Sequence, residues 1–451
     1  MFVKITGIQR QVFISLCLYL GQILAGYSAS WPGPVIPKLR DLEQSPLPYL
    51  LTEAQLALVA TCTYLGGIAG PYIVLWLSNV TGRKPCLLLA GAVLAIAYII
   101  LATTKNIALL LVGRVLSGAA CGAIAVTNIV YIGEIASASI RGILLTVIGV
   151  FHTLGSILIF AIGPYVSYLW TTYVALAVIA VFLISVLFIP ETPIFYALQG
   201  RDEELKKVLQ DLDRLGDINE LLEMKNHGAV TNTKREWKEL FTIRSNRKAL
   251  FIVVIINIFQ NGSGIMAVVL FSAAIFDMAG SSIKSNLAMI IIGCFQLLGS
   301  TVTPFFIERT GRKRILIMSS ALCSLSMFIL GLYFYLDHIG NSVIEHIKFL
   351  PLVVLILFYI GYDSGLGIIP NAIIGEMFTT NVRSKGSTVA MTASWGFGFL
   401  VTTAFGALLK TVGGHVAFWF FSFICACAIL FTVFFIPETK GKTLLEIQNA
   451  L

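Results

Sequence analysis

Twelve apolar runs, each long enough to cross a bilayer, divide this 451-residue sequence and leave it few ways to fold. A crossing helix needs about 20 apolar residues. The runs lie near 11–30, 55–78, 85–104, 107–132, 143–164, 168–189, 249–276, 286–307, 315–336, 350–374, 386–409 and 416–436, and are numbered here as spans 1 to 12. They predict an all-α, polytopic membrane protein. The composition points the same way: 57% of residues are hydrophobic and 12% are charged. That is about half the charge of a soluble domain. A soluble chain could not hide so much apolar surface, and a disordered chain would be richer in charge. The eight cysteines sit in or beside apolar runs without metal-ligand spacing, so neither a disulfide scaffold nor a metal site is expected. No nucleophile arrangement or phosphate loop is visible, and neither an enzyme nor a cofactor is expected. Span 1 carries Gly21, Gln22 and Gly26, with no small-residue cleavage site before Trp31, so it reads as a retained span rather than a cleaved signal.

Lysine and arginine positions set the orientation. With the N-terminus in the cytoplasm, 24 of the 31 basic residues fall inside and six outside, and Arg114 falls within a span. This is the positive-inside bias. It places both termini in the cytoplasm and explains the net charge of +8 without a nucleic-acid partner. The cell membrane is the expected location, the lipid bilayer the expected surroundings, and no obligate protein partner is predicted. One long hydrophilic stretch, 191–248, carries eleven basic and eleven acidic residues. It reads as a cytoplasmic linker with short amphipathic helices, such as Asp202–Leu215, on the inner face.

The two halves repeat three landmarks in the same order. Asn79-Val80-Thr81-Gly82-Arg83-Lys84 matches Glu308-Arg309-Thr310-Gly311-Arg312-Lys313. Gly133-Glu134-Ile135 with Arg141 matches Gly375-Glu376-Met377 with Arg383, and Pro190-Glu191-Thr192 matches Pro437-Glu438-Thr439. Each landmark follows the second, fourth or sixth span of its half, on the inside. The chain therefore reads as a six-span unit repeated in parallel: 1–190, the linker 191–248, and 249–451. The charges at these ends suit a set of ion pairs that latch helix ends in one conformation and part in another. The candidates are Arg83, Glu134, Arg141, Glu191, Glu308, Arg312, Glu376, Arg383 and Glu438. Ordinary positive-inside loop charges would give some of the same pattern.

These residues resemble the sugar-porter family of the major facilitator superfamily, and Gly26-Tyr27-Ser28-Ala29-Ser30-Trp31 with Pro37-Lys38-Leu39 looks most like its insect trehalose and glucose branch. The resemblance rests on Pro437-Glu438-Thr439-Lys440-Gly441 after span 12, Pro190-Glu191-Thr192-Pro193, and Gly113-Arg114. It also rests on Glu134-Ile135-Ala136 with Arg141-Gly142, and on Gln260 with Ser263-Gly264-Ile265. It implies two six-helix bundles related by pseudo-twofold symmetry, and movement of a sugar, trehalose or a hexose, by alternating access. It also implies a substrate site near the bilayer midplane made of Gln260, Asn261, Gln296, Asn371 and Trp395. The chemistry is suitable, because every sugar hydroxyl stripped of water must be bonded again, and amides both donate and accept. An indole covers an apolar sugar face.

The sequence also departs from the hexose facilitators. Gly149 stands where they carry Gln, Met266 where they carry Asn, and Leu270-Phe271 where they carry a Tyr pair. Ser28 stands where proton-coupled sugar porters carry Asp, so passive uniport is expected. A proton-coupled symporter and a non-transporting sugar sensor are the alternatives, although a sensor would usually carry a long signalling tail. Arg114, a charge within a span, needs a partner, and carbonyls or a neighbouring helix are expected to supply it rather than the substrate. His152 reads as an interior residue rather than a relay, and Asp363 as gating or structural.

Overall fold

The computed structural model describes residues 7–218, 221, 233–280, 284–378, 380–411 and 413–438. All twelve expected spans are helical, and no strand occurs among the described residues. Span 1 is α1 (Gly7–Ser30), continued beyond Trp31 by the short α2 (Pro32–Leu39). Span 2 is α3 (Glu53–Thr61) and α4 (Thr63–Thr81). Spans 3 to 6 are α5 (Arg83–Thr103), α6 (Ile107–Ile135), α7 (Ala138–Ile162) and α8 (Tyr168–Phe188). The linker holds α9 (Pro193–Leu198), α10 (Asp202–Asp211) and α11 (Thr233–Thr242). Span 7 is α12 (Arg244–Gly262) and α13 (Ile265–Met278), span 8 is α14 (Ser285–Thr310), and span 9 is α15 (Arg312–His338). Span 10 is α16 (Leu350–Gly361), a π-helical turn at Tyr362–Leu366, and α17 (Ile369–Met377). Spans 11 and 12 are α18 (Thr380–Thr411) and α19 (Gly414–Phe435). Among the described residues ten helical stretches are long and apolar enough to cross a bilayer, and the shorter Asn286–Thr301 and Leu350–Leu366 lie in spans 8 and 10. The chain is a multi-pass membrane protein.

Helix ends are set by local chemistry. Thr52 and Gln55 form a capping box at the start of α3: the Gln55 N–H donates to the Thr52 hydroxyl, and the Thr52 N–H donates to the Gln55 amide oxygen. The Asn106 side chain accepts from the Ala108 N–H at the start of α6. Span 7 breaks at Gly264, whose φ of +88° suits glycine. A Cβ there would also stand 2.3 Å from the Phe421 ring.

Contacts divide the chain into two compact units. One comprises Met1–Ala29, Gly66–Ser156 and Ser167–Thr231; the other comprises Ser30–Leu65, Ile157–Val166 and Asn232–Leu451. These units are not the two halves of the repeat, because parts of spans 1, 2 and 5 pack with spans 7 to 12.

In the first unit, glycines let backbones touch. A Cβ on Gly66 would lie 1.9 Å from the Val115 carbonyl oxygen, and one on Gly26 would lie 1.8 Å from that of His152. This is the small-residue contact by which membrane helices approach closely. The linker also packs here. Leu205 and Leu209 of α10 form a buried cluster with Ala197 and Leu221. Arg10 pairs with Asp211 at 3.2 Å, and the Gln11 amide donates to the Leu212 carbonyl at 2.9 Å. The expected amphipathic helix is thus present over Asp202–Asp211, followed by a 3₁₀ turn at Leu215–Asp217.

In the second unit, the ends of spans 1, 2 and 5 that are poor in basic residues pack against spans 7, 8 and 11. Gly33 lies against Phe160, the Val269 carbonyl and Ser272, and Gly293 faces Ile157. The Lys38 ammonium donates to the carbonyls of Gly163 and Val166.

Candidate functional site

Span 7 carries three amides on one helical face. Asn257, Gln260 and Asn261 are spaced i, i+3, i+4, so their side chains lie together. Gln260 is buried, and its amide donates to the Gly367 carbonyl of span 10 at 2.8 Å. The Asn261 amide donates to the Ser394 hydroxyl of span 11 at 2.5 Å. Next along span 11, Trp395 meets Tyr64 of span 2 edge-on, with ring centroids 5.5 Å apart. Gly398, one turn further, is small of necessity: a Cβ there would stand 3.1 Å from both the Asn261 amide oxygen and the Tyr64 ring. The Thr403 hydroxyl donates to that of Thr61 at 3.1 Å. Of the five expected substrate residues, the structure therefore gathers Gln260, Asn261 and Trp395. Gln296 is half-buried on α14 and makes no side-chain hydrogen bond among the described residues. The Asn371 side chain lies outside the described residues.

The Gly367 carbonyl owes its position to an irregular stretch of span 10. A π turn leaves backbone groups without their helical partners. The Ser319 hydroxyl of α15 bridges two of them, donating to the Gly361 carbonyl at 2.6 Å and accepting from the Leu366 N–H at 2.8 Å. The Tyr362 ring packs on Gly367, at 2.8 Å from where its Cβ would be. Asp363 is buried in this turn beside Gly299.

An apolar groove of about 200 Å³ runs along α18 and α19, lined by Phe397, Leu400, Phe405, Phe420 and Phe421 among others. It offers no hydrogen-bonding side chain, so the polar cluster rather than this groove has the chemistry for a sugar.

At the basic ends, the landmarks form a compact network. Arg83 reaches Glu134 with two nitrogens, at 2.8 and 3.2 Å, and its third donates to the Ser78 carbonyl. Glu191 accepts from the backbone N–H groups of Arg83 and Lys84 at 3.1 and 2.9 Å. The second half repeats this: Glu438 accepts from the N–H groups of Arg312 and Lys313 at 3.1 and 3.3 Å. The two acids cap the starts of α5 and α15, where the helix dipole favours negative charge. The bonds shown for both acids come from backbone N–H groups, where side-chain ion pairs were expected. Arg141 donates to the Ala136 carbonyl at 3.1 Å, and Arg83 rather than Arg141 bonds Glu134. The side chains of Glu308, Glu376 and Arg383 lie outside the described residues. In the same unit as the first network, the Arg114 guanidinium donates to the Ser28 carbonyl at 3.1 Å. This gives the buried arginine the carbonyl partner that the sequence required.

Sequence reasoning missed Tyr64, Asn257 and Ser319. Asn257 could have been found from its spacing of four from Asn261. Tyr64 and Ser319 gain meaning only from partners on distant spans.

Comparison with known proteins fits this geometry. Residues 14–451 match the family described as "Sugar (and other) transporter". The facilitated trehalose transporter Tret1 of Polypedilum vanderplanki is 31% identical over 454 residues, covering 98% of this chain and 88% of the relative. Tret1 of Culex quinquefasciatus is 30% identical, covering 98% and 86%. Among solved structures, the inward-open xylose transporter XylE of E. coli superposes with a TM-score of 0.81 at 21% identity, covering 98% of this chain and 99% of that one. The nucleoside transporter NupG superposes with a TM-score of 0.64 at 12% identity. These likenesses establish the twelve-helix major facilitator fold. With most of its length matched, the chain belongs to the sugar transporter family, a family of carriers rather than enzymes.

Proposed function

We propose that this protein is a passive uniporter for a carbohydrate, trehalose or a hexose, working by alternating access. The observation that carries the reading is the amide pair Gln260 and Asn261, held by spans 10 and 11 beside the indole of Trp395. Amides replace the water lost by sugar hydroxyls, and the indole covers an apolar face. Gln296 and Asn371 complete the set. Trehalose is the substrate in the relatives' names, which are facilitated trehalose transporters, and a hexose is the alternative implied by the sequence resemblance.

The passive reading rests on Ser28. Its carbonyl accepts from Arg114, and its side chain has no carboxylate to carry a proton. The carrier sits in the cell membrane with both termini in the cytoplasm, as the distribution of Lys and Arg supports. It is organised as two six-span halves, 1–190 and 249–451, joined by the linker 191–248. The matched caps at Glu191 and Glu438 support that division. The charges of the landmarks, Arg141, Glu308, Glu376 and Arg383 included, latch the basic ends in one conformation and release them in another.

Uptake of radiolabelled trehalose, glucose and fructose in oocytes, with surface expression measured in parallel, tests the proposal. Saturable uptake of at least one sugar is expected. Good surface expression with uptake of none would favour the non-transporting sensor.

A further inference from the structure

The polar cluster on spans 7 and 11 has a neighbour whose chemistry is unused. Tyr64, on span 2, is buried, with 6% of its surface exposed, yet its hydroxyl makes no hydrogen bond among the described residues. Thr402 stands beside the phenol, and because its own hydroxyl donates to the Gly398 carbonyl at 2.7 Å it can only accept from Tyr64, which leaves the phenol oxygen without a donor. The Tyr64 ring meets the edge of Trp395, and it shares the space above Gly398 with the Asn261 amide oxygen. The phenol therefore lies against the same surfaces that would hold a sugar. A buried hydroxyl without a partner is unfavourable, and that cost disappears when a ligand hydroxyl bonds to it.

We propose that Tyr64 is a substrate-binding residue supplied by span 2, whose phenol hydroxyl bonds a hydroxyl of the carbohydrate held by Gln260 and Asn261. This rests on the carbohydrate-carrier reading and extends it to a residue outside the amide set. The contact has a consequence for transport. The packing of span 2 on span 11 leaves the phenol unbonded when the site is empty and satisfied when it is filled. A loaded carrier therefore adopts this packing more readily than an empty one. Tyr64 contributes hydrogen-bonding specificity, because a buried polar group discriminates against a ligand that lacks its partner.

The test is sugar uptake by Tyr64→Phe, which keeps the ring packing and removes only the hydroxyl. A neutral hydrogen bond of this kind corresponds to a rise of about three- to tenfold in KM. Thr403→Val, which removes the neighbouring bond to Thr61 on the same pair of spans, is the packing control and is expected to leave KM within about twofold. A panel of monodeoxy sugars gives a readout that packing alone does not move. Wild type is expected to discriminate against one deoxy position, and Tyr64→Phe to lose that discrimination while retaining it at the other positions. An unchanged KM and unchanged deoxy profile in Tyr64→Phe, with Gln260→Ala impaired, overturns the role of Tyr64 and leaves the carrier reading intact. If Gln260→Ala is unimpaired as well, the carbohydrate site itself is misplaced and Tyr64 falls with it.

Discussion

Glu191 caps the helix that begins at Arg83, across 108 residues of sequence, by accepting that residue's N–H at 3.1 Å. Between them sits Gly82, with φ at +100°, and a Cβ there would stand 2.5 Å from the Glu191 carboxylate. Gly311 and Glu438 repeat the arrangement, with φ at +94° and a Cβ-to-carboxylate separation of 2.8 Å. Each half thus closes its sixth span onto the start of its third with the same device. Glu191→Ala removes a charged cap and the carboxylate bonds of three N–H groups, those of Arg83, Lys84 and Thr192, so a loss of about 2 kcal/mol is expected. Glu438→Ala is expected to lose a similar amount. Thermal unfolding of each variant in detergent, with Glu191→Asp as the charge-preserving comparison, measures it.

Arg83 and Glu134 form a pair only 8% and 10% exposed. Removing one partner of such a pair leaves an uncompensated charge, which costs about 3–5 kcal/mol. Glu134→Ala is therefore expected to be strongly destabilising, and Arg83→Met with Glu134→Leu less so than the sum of the two single changes. A double-mutant cycle on unfolding free energy gives the coupling.

Ser319 holds the π turn of span 10 by bonding both Gly361 and Leu366. Ser319→Ala strips both bonds at once, at a cost of about 1–3 kcal/mol. Since the turn places the Gly367 carbonyl that fixes Gln260, the variant is also expected to bind sugar more weakly. Stability and uptake measured on the same preparation should fall together.

Gln260→Ala and Asn261→Ala each delete a neutral amide from the proposed site. A rise of about three- to tenfold in half-saturation is expected for each. Concentration dependence of initial uptake rates, normalised to surface protein, checks this.

Much of the architecture is legible in the sequence, because lipid demands long apolar helices. The repeat is legible too, since its landmarks fall at fixed places after the second, fourth and sixth spans. What is hidden depends on partners far apart in the chain. Glu191 reads as half of an ion pair, yet its closest ties are to backbone N–H groups that any residue offers. Tyr64 reads as one more aromatic in an apolar run until Trp395 and Asn261 are placed beside it. The π turn at Tyr362–Leu366 is invisible to periodicity, because Ser319 on the neighbouring span stabilises it. The docked linker helix falls between these cases: its amphipathic pattern is readable, but the surface it covers is not.

Flux into vesicles containing the purified protein tests the central claim most directly. Labelled trehalose or glucose is expected to enter until the internal concentration equals the external one, with a rate that a protonophore does not alter. Accumulation above the external concentration, abolished by the protonophore, would contradict passive carriage.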